Sequence, residues 1–504
     1  MPVKKHYLPL IFLIILCLGI GVYKISVMAC VSRDTVTFME FAEDLKTTPA
    51  EAIRTRDQHP GYPAIILGAE RVLSLMGFNS TLENRIVAVQ AATLLSRIIA
   101  LCFLYFIFQF FGNKKAALVS AILFMLIPKY ANDGSEILSD WPNLMLMSAA
   151  LFFSLHGLRT KHVHLFLWAG VFSGLAYWIR PEGAVCVVVM GIYTLIYGFR
   201  AKSGKLWACL GVMIITTGLI TAPYMLYKGA LFPKKKVGTF TVANASLETG
   251  EKAAQSPPFQ ANIAASSLTL KPIQAILHFA EELFNTIFLL ALPLLWILLY
   301  KAKRFGRLRG QDQFLCVFTI LWLVLMVWLH CNHGYISSRH IMPMVIFGFA
   351  WILKGIHRLV MLFDGCRQRL HRNAAILIGI AVAIFVPKLI RPAHADKAVY
   401  PKAGVWLREN TPEEATLAVF DIRIGFYAER PWTRLKHQKA STQDYLIVKV
   451  KEESSGIPES ARRVSTGQAG IDAVIEIYAV DTKENHEEPR IDTNTHEFKT
   501  QETR

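Results

Sequence analysis

The stretch MPVKKHYLPLIFLIILCLGIGVY, residues 1–23, joins two early lysines to an apolar run long enough to cross a membrane. Runs of about 18 or more apolar residues are typical of transmembrane helices. No small-residue cleavage site clearly follows the run, so we interpret it as an uncleaved signal anchor. Because Lys4 and Lys5 are expected on the cytoplasmic side, the first span, residues 7–28, leads outward.

Further apolar runs follow along the chain and predict ten more spans. They cover residues 86–111, 116–129, 138–158, 164–180, 183–199, 205–227, 274–300, 313–330, 341–361 and 374–391. When the chain alternates sides from the first span, basic short loops such as RAKSGK (200–205) and KAKRFGRLR (301–309) lie inside, as the positive-inside rule requires. The sequence therefore predicts an all-α polytopic membrane protein with about 11 transmembrane helices.

The overall composition agrees with this interpretation. Hydrophobic residues make up 53% of the 504 residues and charged residues 18%, and the mean hydropathy is +0.37. The net charge of +17 is concentrated in short loops between apolar runs, and no zinc-finger spacing or basic helix accompanies it, so no nucleic-acid partner is predicted. The eight cysteines are scattered, mostly within apolar runs, and are expected to be buried thiols.

Two regions are expected outside the membrane, beside a transmembrane domain over residues 1–391. Residues 29–85 form the first outer region, in which the short apolar segment 62–77 carries Glu70 and Arg71 and predicts a helix lying in the interface. Residues 392–481 combine an amphipathic helix, AVYPKAGVWLREN (398–410), with strands at TLAVFD, DYLIVKV and AVIEIYAV, which predicts a small extracytoplasmic α/β domain. The polar residues 482–504 are predicted to be disordered.

The predicted topology places acidic, basic and tyrosine side chains from distant segments of the sequence on the outer face of the membrane. They are Asp34 after the first span, His59 and Tyr62 in RDQHPGYP (56–63), Glu136 and Asp140 in NDGSEILSD (132–140), Arg180 in IRPEG (179–183), and Tyr335, Arg339 and His340 in HGYISSRHIMP (333–343). Charges beside hydrocarbon are costly and are usually paired or functional. Solvated loop charges, or arginines that snorkel to lipid headgroups, are the alternative explanations.

Outer acids and bases on a membrane scaffold suit a lipid-linked substrate. An isoprenoid phosphate keeps its tail in hydrocarbon and its phosphate at the interface, where arginine and histidine can hold it and stabilise charge on a leaving group. A carboxylate can take the proton of an incoming hydroxyl. The combination predicts glycosyl transfer.

Four patterns in this order resemble the GT-C glycosyltransferases, in the bacterial branch similar to protein O-mannosyltransferases and the aminoarabinose transferase of lipid A. They are SRDTVTFMEFAEDL (32–45), DQHPGYP (57–63), SEILSDWPNLML (135–146) with GLAYWIRPEG (174–183), and YISSRHIMP (335–343). The C-terminal WLRENTPEEATLAVFDIRIGFYAER (406–430) resembles the outer domain of many bacterial members. Thr35, Gly61 and His340 depart from the commoner family residues, which leaves the subfamily and the sugar open.

The resemblance implies a GT-C fold and a role for each candidate residue. Asp34 would be the catalytic base; Arg339, His340, Arg180 and His59 would bind the donor phosphate; and Glu136, Asp140, Tyr62 and Tyr335 would orient the acceptor or a metal. No cofactor is required, because arginine can supply the charge, although Mg²⁺ or Mn²⁺ remains an alternative.

The implied donor is a polyprenyl-phosphate-linked sugar, and the implied acceptor is a hydroxyl of a protein, lipid or polysaccharide, in contact with the lipids of the bacterial inner membrane. Two other functions remain open, a transporter or flippase for a lipid-linked sugar and a non-catalytic membrane scaffold. Transporters typically show repeats and polar sites at mid-membrane. Here the polar groups gather at the outer ends of the predicted spans, and no repeat is visible.

Overall fold

The computed structural model describes residues 7–198, 204–229, 271–308, 310–364, 370–434, 445–449, 461–469 and 473–480. The chain divides into two compact units. The first contains the described residues of 1–21, 41–68 and 91–390, and the second those of 22–40, 69–90 and 391–504. The predicted disordered tail, 482–504, lies outside the described residues.

The described residues are mainly helical. The α-helices are α1 (Leu8–Ser26), α2 (Arg33–Thr47), α3 (Pro49–Thr55), α4 (Gly61–Leu75), α5 (Leu82–Phe111), α6 (Lys114–Met125), α7 (Pro128–Asp133), α8 (Asp140–Thr160), α9 (Val163–Ile179), α10 (Val185–Gly198), α11 (Gly204–Lys228), α12 (Lys271–Ile287), α13 (Ala291–Lys303), α14 (Gly310–His333), α15 (Ser338–Gly348), α16 (Ile352–Asp364), α17 (Leu370–Ile390), α18 (Val399–Asn410) and α19 (Ile422–Ala428). Short 3₁₀ turns connect several of them, including Pro181–Ala184 after α9.

Seven helical segments of the described chain are long and apolar enough to cross a membrane, which makes this a multi-span membrane protein. They are Leu8–Ser26, Leu82–Phe111, Gly204–Lys228, Pro272–Lys303, Gly310–Asn332, Ser338–Met361 and Arg372–Lys397. Two further apolar helices, Val163–Ile179 and Pro181–Tyr197, are shorter. The other two predicted spans, 116–129 and 138–158, correspond to α6 with the start of α7 and to α8, and the segment 62–77, predicted as an interface helix, contains most of α4.

A buried arginine organises the polypeptide just before α8. Arg97 on α5 is fully buried and donates from Nη2 to the carbonyl of Met125 at 3.1 Å and from Nη1 to that of Ala131 at 3.4 Å. Its guanidinium lies 5.4 Å from the ring centroid of Trp141, whose Nε1 donates to the carbonyl of Tyr130 at 3.0 Å. The carbonyls of Met125 and Ala131 belong to the last turns of α6 and α7, where a helix leaves its carbonyl groups without intrahelical partners.

The second unit contains a five-stranded sheet in the order β2-β1-β3-β5-β4. Its strands are β1 (Leu417–Val419), β2 (Trp432–Arg434), β3 (Tyr445–Lys449), β4 (Ala461–Ala469) and β5 (Ala473–Val480). β1 pairs in parallel with β2 and β3, whereas β5 pairs antiparallel with β3 and β4. The predicted helix and three predicted strands are present as α18, β1, β3 and β5, and α19, β2 and β4 complete the unit.

Candidate functional site

A small cleft opens in the first unit where several helices meet. Its lining comes from α8, the turn after α9, α14 and α15. The lining residues are Asp140, Asn143, Leu144, Arg180, Glu182, Trp322, Met326, Arg339, His340, Met342 and Pro343. Four of the sequence-predicted site residues therefore line one cleft: Asp140, Arg180, Arg339 and His340.

Asp140, the first residue of α8, carries the buried charge of this cleft. Its side chain is 4% exposed and accepts a short hydrogen bond on Oδ1 from Nη1 of Arg180. Nη1 of Arg339 lies 3.6 Å from Oδ2, close enough to form an ion pair but too far for a hydrogen bond. Two guanidinium groups thus face one carboxylate at the edge of the cleft.

The backbone around Arg180 directs its side chain into the cleft. Helix α9 ends at Ile179, and Arg180 is extended (φ −154°, ψ 144°) before Pro181 begins the 3₁₀ turn. Proline suits this first position because a helix start leaves its N–H without an intrahelical acceptor. Nε of Arg180 also lies 3.5 Å from Oε2 of Glu182.

The second arginine is presented by the start of α15. Nδ1 of His340 accepts a hydrogen bond from the backbone N–H of Ser337 at 3.2 Å, which closes the first turn of the helix. Nε1 of Trp322 on α14 donates to the carbonyl of His340 at 2.8 Å. Tyr335, which is about half exposed, places its ring 5.7 Å from that of His340. His340 therefore shapes the turn that holds Arg339, in addition to lining the cleft.

His59 is packed among aromatic rings. The imidazole is 4% exposed, and its centroid lies 5.2 Å from the ring of Tyr177 and 5.0 Å from that of Tyr224. Within the described residues neither ring nitrogen makes a hydrogen bond of good geometry, although the backbone of Tyr177 approaches the ring. Burial lowers the pKa of His59 to about 4. His59 is absent from the cleft lining, so its donor-binding role stays a prediction.

Gly61 explains the backbone of the RDQHPGYP segment. A Cβ at this position would lie 2.6 Å from the carbonyl oxygen of Trp178 and 2.9 Å from the nitrogen of Ile179. Only glycine lets the start of α4 approach the end of α9 so closely. Tyr62, the next residue, is fully buried, and its hydroxyl lies 3.0 Å from that of Thr93 on α5.

Hydrogen bonds from the end of α11 and an ion pair with α2 also hold the start of this segment. Nζ of Lys228, at the end of α11, donates to the carbonyls of Ile53, Arg54 and Arg56 at 2.9, 3.1 and 2.6 Å. Arg56 also pairs with Asp44 of α2, with 2.5 Å between Nη2 and Oδ2. The polar, proline-bracketed segment is thus fixed by specific bonds on both sides of His59.

The acidic residues just before α8 lie in different environments. Asp133 is buried and pairs with Nζ of Lys129 at 2.9 Å; burial raises the pKa of Asp133 to about 6 in spite of that lysine. Glu136 is 4% exposed, and its carboxylate and that of Asp140 act electrostatically on the hydroxyl of Tyr62. In the described parts of the chain, no three His, Cys, Asp or Glu side chains gather as metal ligands.

Asp34, the predicted base, belongs to the second unit. It is the second residue of α2 and is partly exposed. Its catalytic role, like the roles of the other candidate residues, stays a prediction.

Asn143 and Trp322 are two of the seven residues of the cleft lining that were not predicted as site residues from the sequence. Asn143 follows Asp140 by three positions on α8, so both lie on one helix face, and this spacing could have revealed it. Its Oδ1 is buried without a hydrogen bond among the described residues. Trp322 lies inside an apolar span, where nothing in the local sequence distinguishes it from other lipid-facing or core aromatics.

Comparisons with known proteins agree with this architecture. Residues 73–226 match the family model of the dolichyl-phosphate-mannose-protein mannosyltransferases. The structure is similar to ArnT from Cupriavidus metallidurans bound to undecaprenyl phosphate, with a TM-score of 0.59 and 12% identity over 96% of this chain and 100% of that one. It is also similar to the oligosaccharyltransferase AglB from Archaeoglobus fulgidus in complex with an inhibitory peptide and a dolichol-phosphate, with a TM-score of 0.56 and 13% identity over 90% of this chain and 70% of that one. No curated protein sequence gave a significant match.

The likeness in fold extends over nearly the whole chain. The chain has the GT-C fold, in which a multi-span helical body is combined with a small α/β part near the C-terminus.

The close approach at Gly61 predicts different effects for two alanine substitutions on the same helix. Gly61→Ala forces a methyl group against the Trp178 carbonyl and should lower the free energy of unfolding by about 1–3 kcal/mol, as overpacking does. Gly68→Ala, where an added Cβ meets nothing within 4 Å, should be neutral or stabilising by up to ~1 kcal/mol. Thermal unfolding of the purified variants tests the difference, and equal melting temperatures would contradict the close packing.

The buried imidazole predicts an acid-sensitive contribution to stability. The folded state holds His59 neutral down to about pH 4, whereas the unfolded chain protonates it near the ordinary pKa of about 6.5. The contribution is therefore fully present above pH 6.5 and is lost as the pH falls toward 4, by at most roughly 3 kcal/mol. The melting temperature of His59→Phe should fall less steeply over this range than that of the wild type. Parallel curves would show that His59 is not buried as a neutral group.

Proposed function

We propose that the protein is a glycosyltransferase that transfers a sugar from a polyprenyl-phosphate donor to an acceptor hydroxyl outside the cytoplasm, with inversion at the anomeric carbon. The observation that carries the proposal is the pair of guanidinium groups, Arg180 and Arg339, facing one buried carboxylate at the edge of an open cleft. Arginine pairs are suited to phosphate because their N–H groups match its oxygens and stay charged at all relevant pH values.

Asp140 keeps the two guanidinium groups together before the donor binds. Nη1 of Arg339 lies 3.6 Å from Oδ2 of the carboxylate, and Arg339 lines the cleft, where it would meet a phosphate oxygen. Arg180 keeps its hydrogen bond to Oδ1 and its contact with Glu182, and it lines the same cleft. A donor phosphate would therefore enter a site whose charges are already positioned.

The proposed reaction is one displacement. A carboxylate, which the sequence resemblance assigns to Asp34, accepts the proton of the acceptor hydroxyl, and the hydroxyl oxygen forms a bond to the anomeric carbon. The bond between that carbon and the phosphate oxygen breaks, and its electron pair leaves with the polyprenyl phosphate. Arg339 and Arg180 would stabilise the negative charge on this leaving group. His59, Glu136, Tyr62 and Tyr335 keep their predicted accessory roles in binding or orienting the substrates.

The ligands of the similar structures support the class of donor. ArnT was crystallised with undecaprenyl phosphate and AglB was determined with a dolichol-phosphate, and both ligands are isoprenoid phosphates. The family whose model matches residues 73–226, the dolichyl-phosphate-mannose-protein mannosyltransferases, is named for a donor of the same class. We extend this donor class to the present chain; the acceptor is a protein, lipid or polysaccharide hydroxyl.

The basic short loops support an orientation for this reaction. We infer that the N-terminus is cytoplasmic, that the protein resides in a bacterial inner membrane, and that the C-terminal α/β unit is extracytoplasmic. A requirement for Mg²⁺ or Mn²⁺ also remains a proposal, and adding EDTA to the transfer assay tests it directly.

Turnover of a panel of labelled polyprenyl-phosphate sugars by the purified protein in lipid vesicles tests the proposal. We expect the wild type to release polyprenyl phosphate and to transfer sugar to an added acceptor. Asp34→Asn should reduce the rate roughly 100- to 10,000-fold, the usual contribution of a general base. Asp57→Asn, which changes an exposed carboxylate of the same outer region, is the matched control and should turn over normally.

Three results of this assay would contradict parts of the proposal. If Asp34→Asn turns over at the wild-type rate, Asp34 is not the base, but the proposed class of reaction is unchanged. Labelled donor that crosses the vesicle membrane without losing its sugar would favour the transporter alternative. Failure of all donors in the presence of protein, lipid and polysaccharide acceptors would contradict the proposed reaction.

A further inference from the structure

The segment that carries Asp34 is built into the core of the C-terminal α/β unit. Cys30 is 1% exposed and belongs to the hydrophobic cluster of that unit, although it is separated from the other members by most of the chain. The other buried members of the cluster are Val399, Tyr400, Ala403, Leu407, Ala415, Leu417, Val419, Ile424, Ala428 and Ile477. The start of the first outer region is thus part of the packing of this unit.

Backbone hydrogen bonds fix the segment on either side of Cys30. The N–H of Ala29 donates to the carbonyl of Ala393 at 3.2 Å. The N–H of Val31 donates to the hydroxyl of Tyr427 on α19 at 3.1 Å. These bonds set the position and direction of the chain immediately before α2.

An ion pair then joins the first residue of α2 to the same unit. Arg33 donates to Oδ2 of Asp421 from Nε at 2.9 Å and from Nη2 at 2.6 Å. The Asp421 side chain is fully buried, and Arg423 donates to both of its oxygens at 2.8 Å. Burial alone would raise the pKa of Asp421, but the two arginines hold it below its usual range, so the carboxylate stays ionised.

Asp34 follows Arg33 directly, so its backbone is held at both ends. On its C-terminal side, the N–H of Thr35 donates to Oγ of Ser32 at 3.3 Å, and the two hydroxyls are 3.0 Å apart. This arrangement closes the first turn of α2 around Asp34. A displacement of Arg33 would therefore be passed to the Asp34 carboxylate through a single peptide unit.

We propose that Asp421 and Arg33 are positioning residues that hold the Asp34 carboxylate in place for the transfer reaction, so that the C-terminal unit acts on catalysis through the first outer region. The inference rests on the proposed function, because that function is what gives the Asp34 carboxylate a role in a reaction. Misplacing a reacting group by about 1 Å can cost as much as roughly 100-fold in rate, whereas substrate affinity is unaffected when the displaced group does not bind the substrate.

The test compares substitutions of Arg33 with a matched arginine of the same unit. Arg33 is the best position to change because its side chain is about half exposed and Asp421 keeps Arg423 as its partner. Arg33→Gln should lower kcat roughly 10- to 100-fold with an unchanged donor KM and an unchanged melting temperature. Arg33→Lys, which keeps one charged donor but not the two-nitrogen contact, should recover part of the rate. Arg408→Gln, which removes ion pairs with Glu83 and Glu429, should turn over like the wild type.

Wild type and Asp34→Asn are measured in the same assay, which separates the two proposals. A fall in kcat for Arg33→Gln, with partial recovery in Arg33→Lys, supports the positioning role. If wild type is active, Asp34→Asn is inactive and Arg33→Gln keeps the wild-type kcat, the positioning role is overturned and the proposed function stands. If kcat and melting temperature fall together in both Arg33 variants, the ion pair is only structural, which also overturns it. An inactive wild type overturns the proposed function and this inference with it.

Discussion

The carboxylate of Asp140 is buried at the start of a helix, and a buried charge of this kind is tolerated only when opposite charges face it. Arg180 and Arg339 supply those charges from segments that are distant in sequence. The two guanidinium groups, at the edge of the membrane-spanning helices, likewise need an anion nearby. The resulting arrangement places two guanidinium groups beside the cleft, where the phosphate of a lipid would meet them.

Contacts elsewhere in the first unit hold the end of α9 in place, and with it Arg180. Trp178, two residues before Arg180, donates from Nε1 to the carbonyl of Ile220 at 2.8 Å and so ties the end of α9 to α11. Gly61 allows α4 to pack against the same helix end. In the RDQHPGYP segment, Gly61 and the buried His59 both pack against α9, the helix that ends just before Arg180.

Much of the fold follows from patterns that depend on local sequence. Hydropathy located the spans, and short apolar runs located β1, β3 and β5, because both signals come from residues adjacent in the chain. The short strand at Trp432–Arg434 and the polar strand at Ala461–Ala469 lack such a pattern. The placement of Cys30 in the C-terminal core could not be predicted, since a lone cysteine after a span carries no information about a partner more than 360 residues away. The sequence also marked Glu136 and Asp140 equally, and only the three-dimensional arrangement shows which of them faces the two arginines.

The central claim is that Arg339, beside Asp140 and Arg180, binds the phosphate of an isoprenoid lipid. The most direct test is the affinity of the purified protein for undecaprenyl phosphate, measured by native mass spectrometry for wild type, Arg339→Gln and the exposed control Arg71→Gln. Asp140 keeps its bond to Arg180 in Arg339→Gln, so the variant should fold. Loss of a charge-assisted contact of about 1.5–3 kcal/mol should weaken its binding roughly 10- to 100-fold, while Arg71→Gln binds like the wild type. Equal affinities for all three proteins would contradict the account.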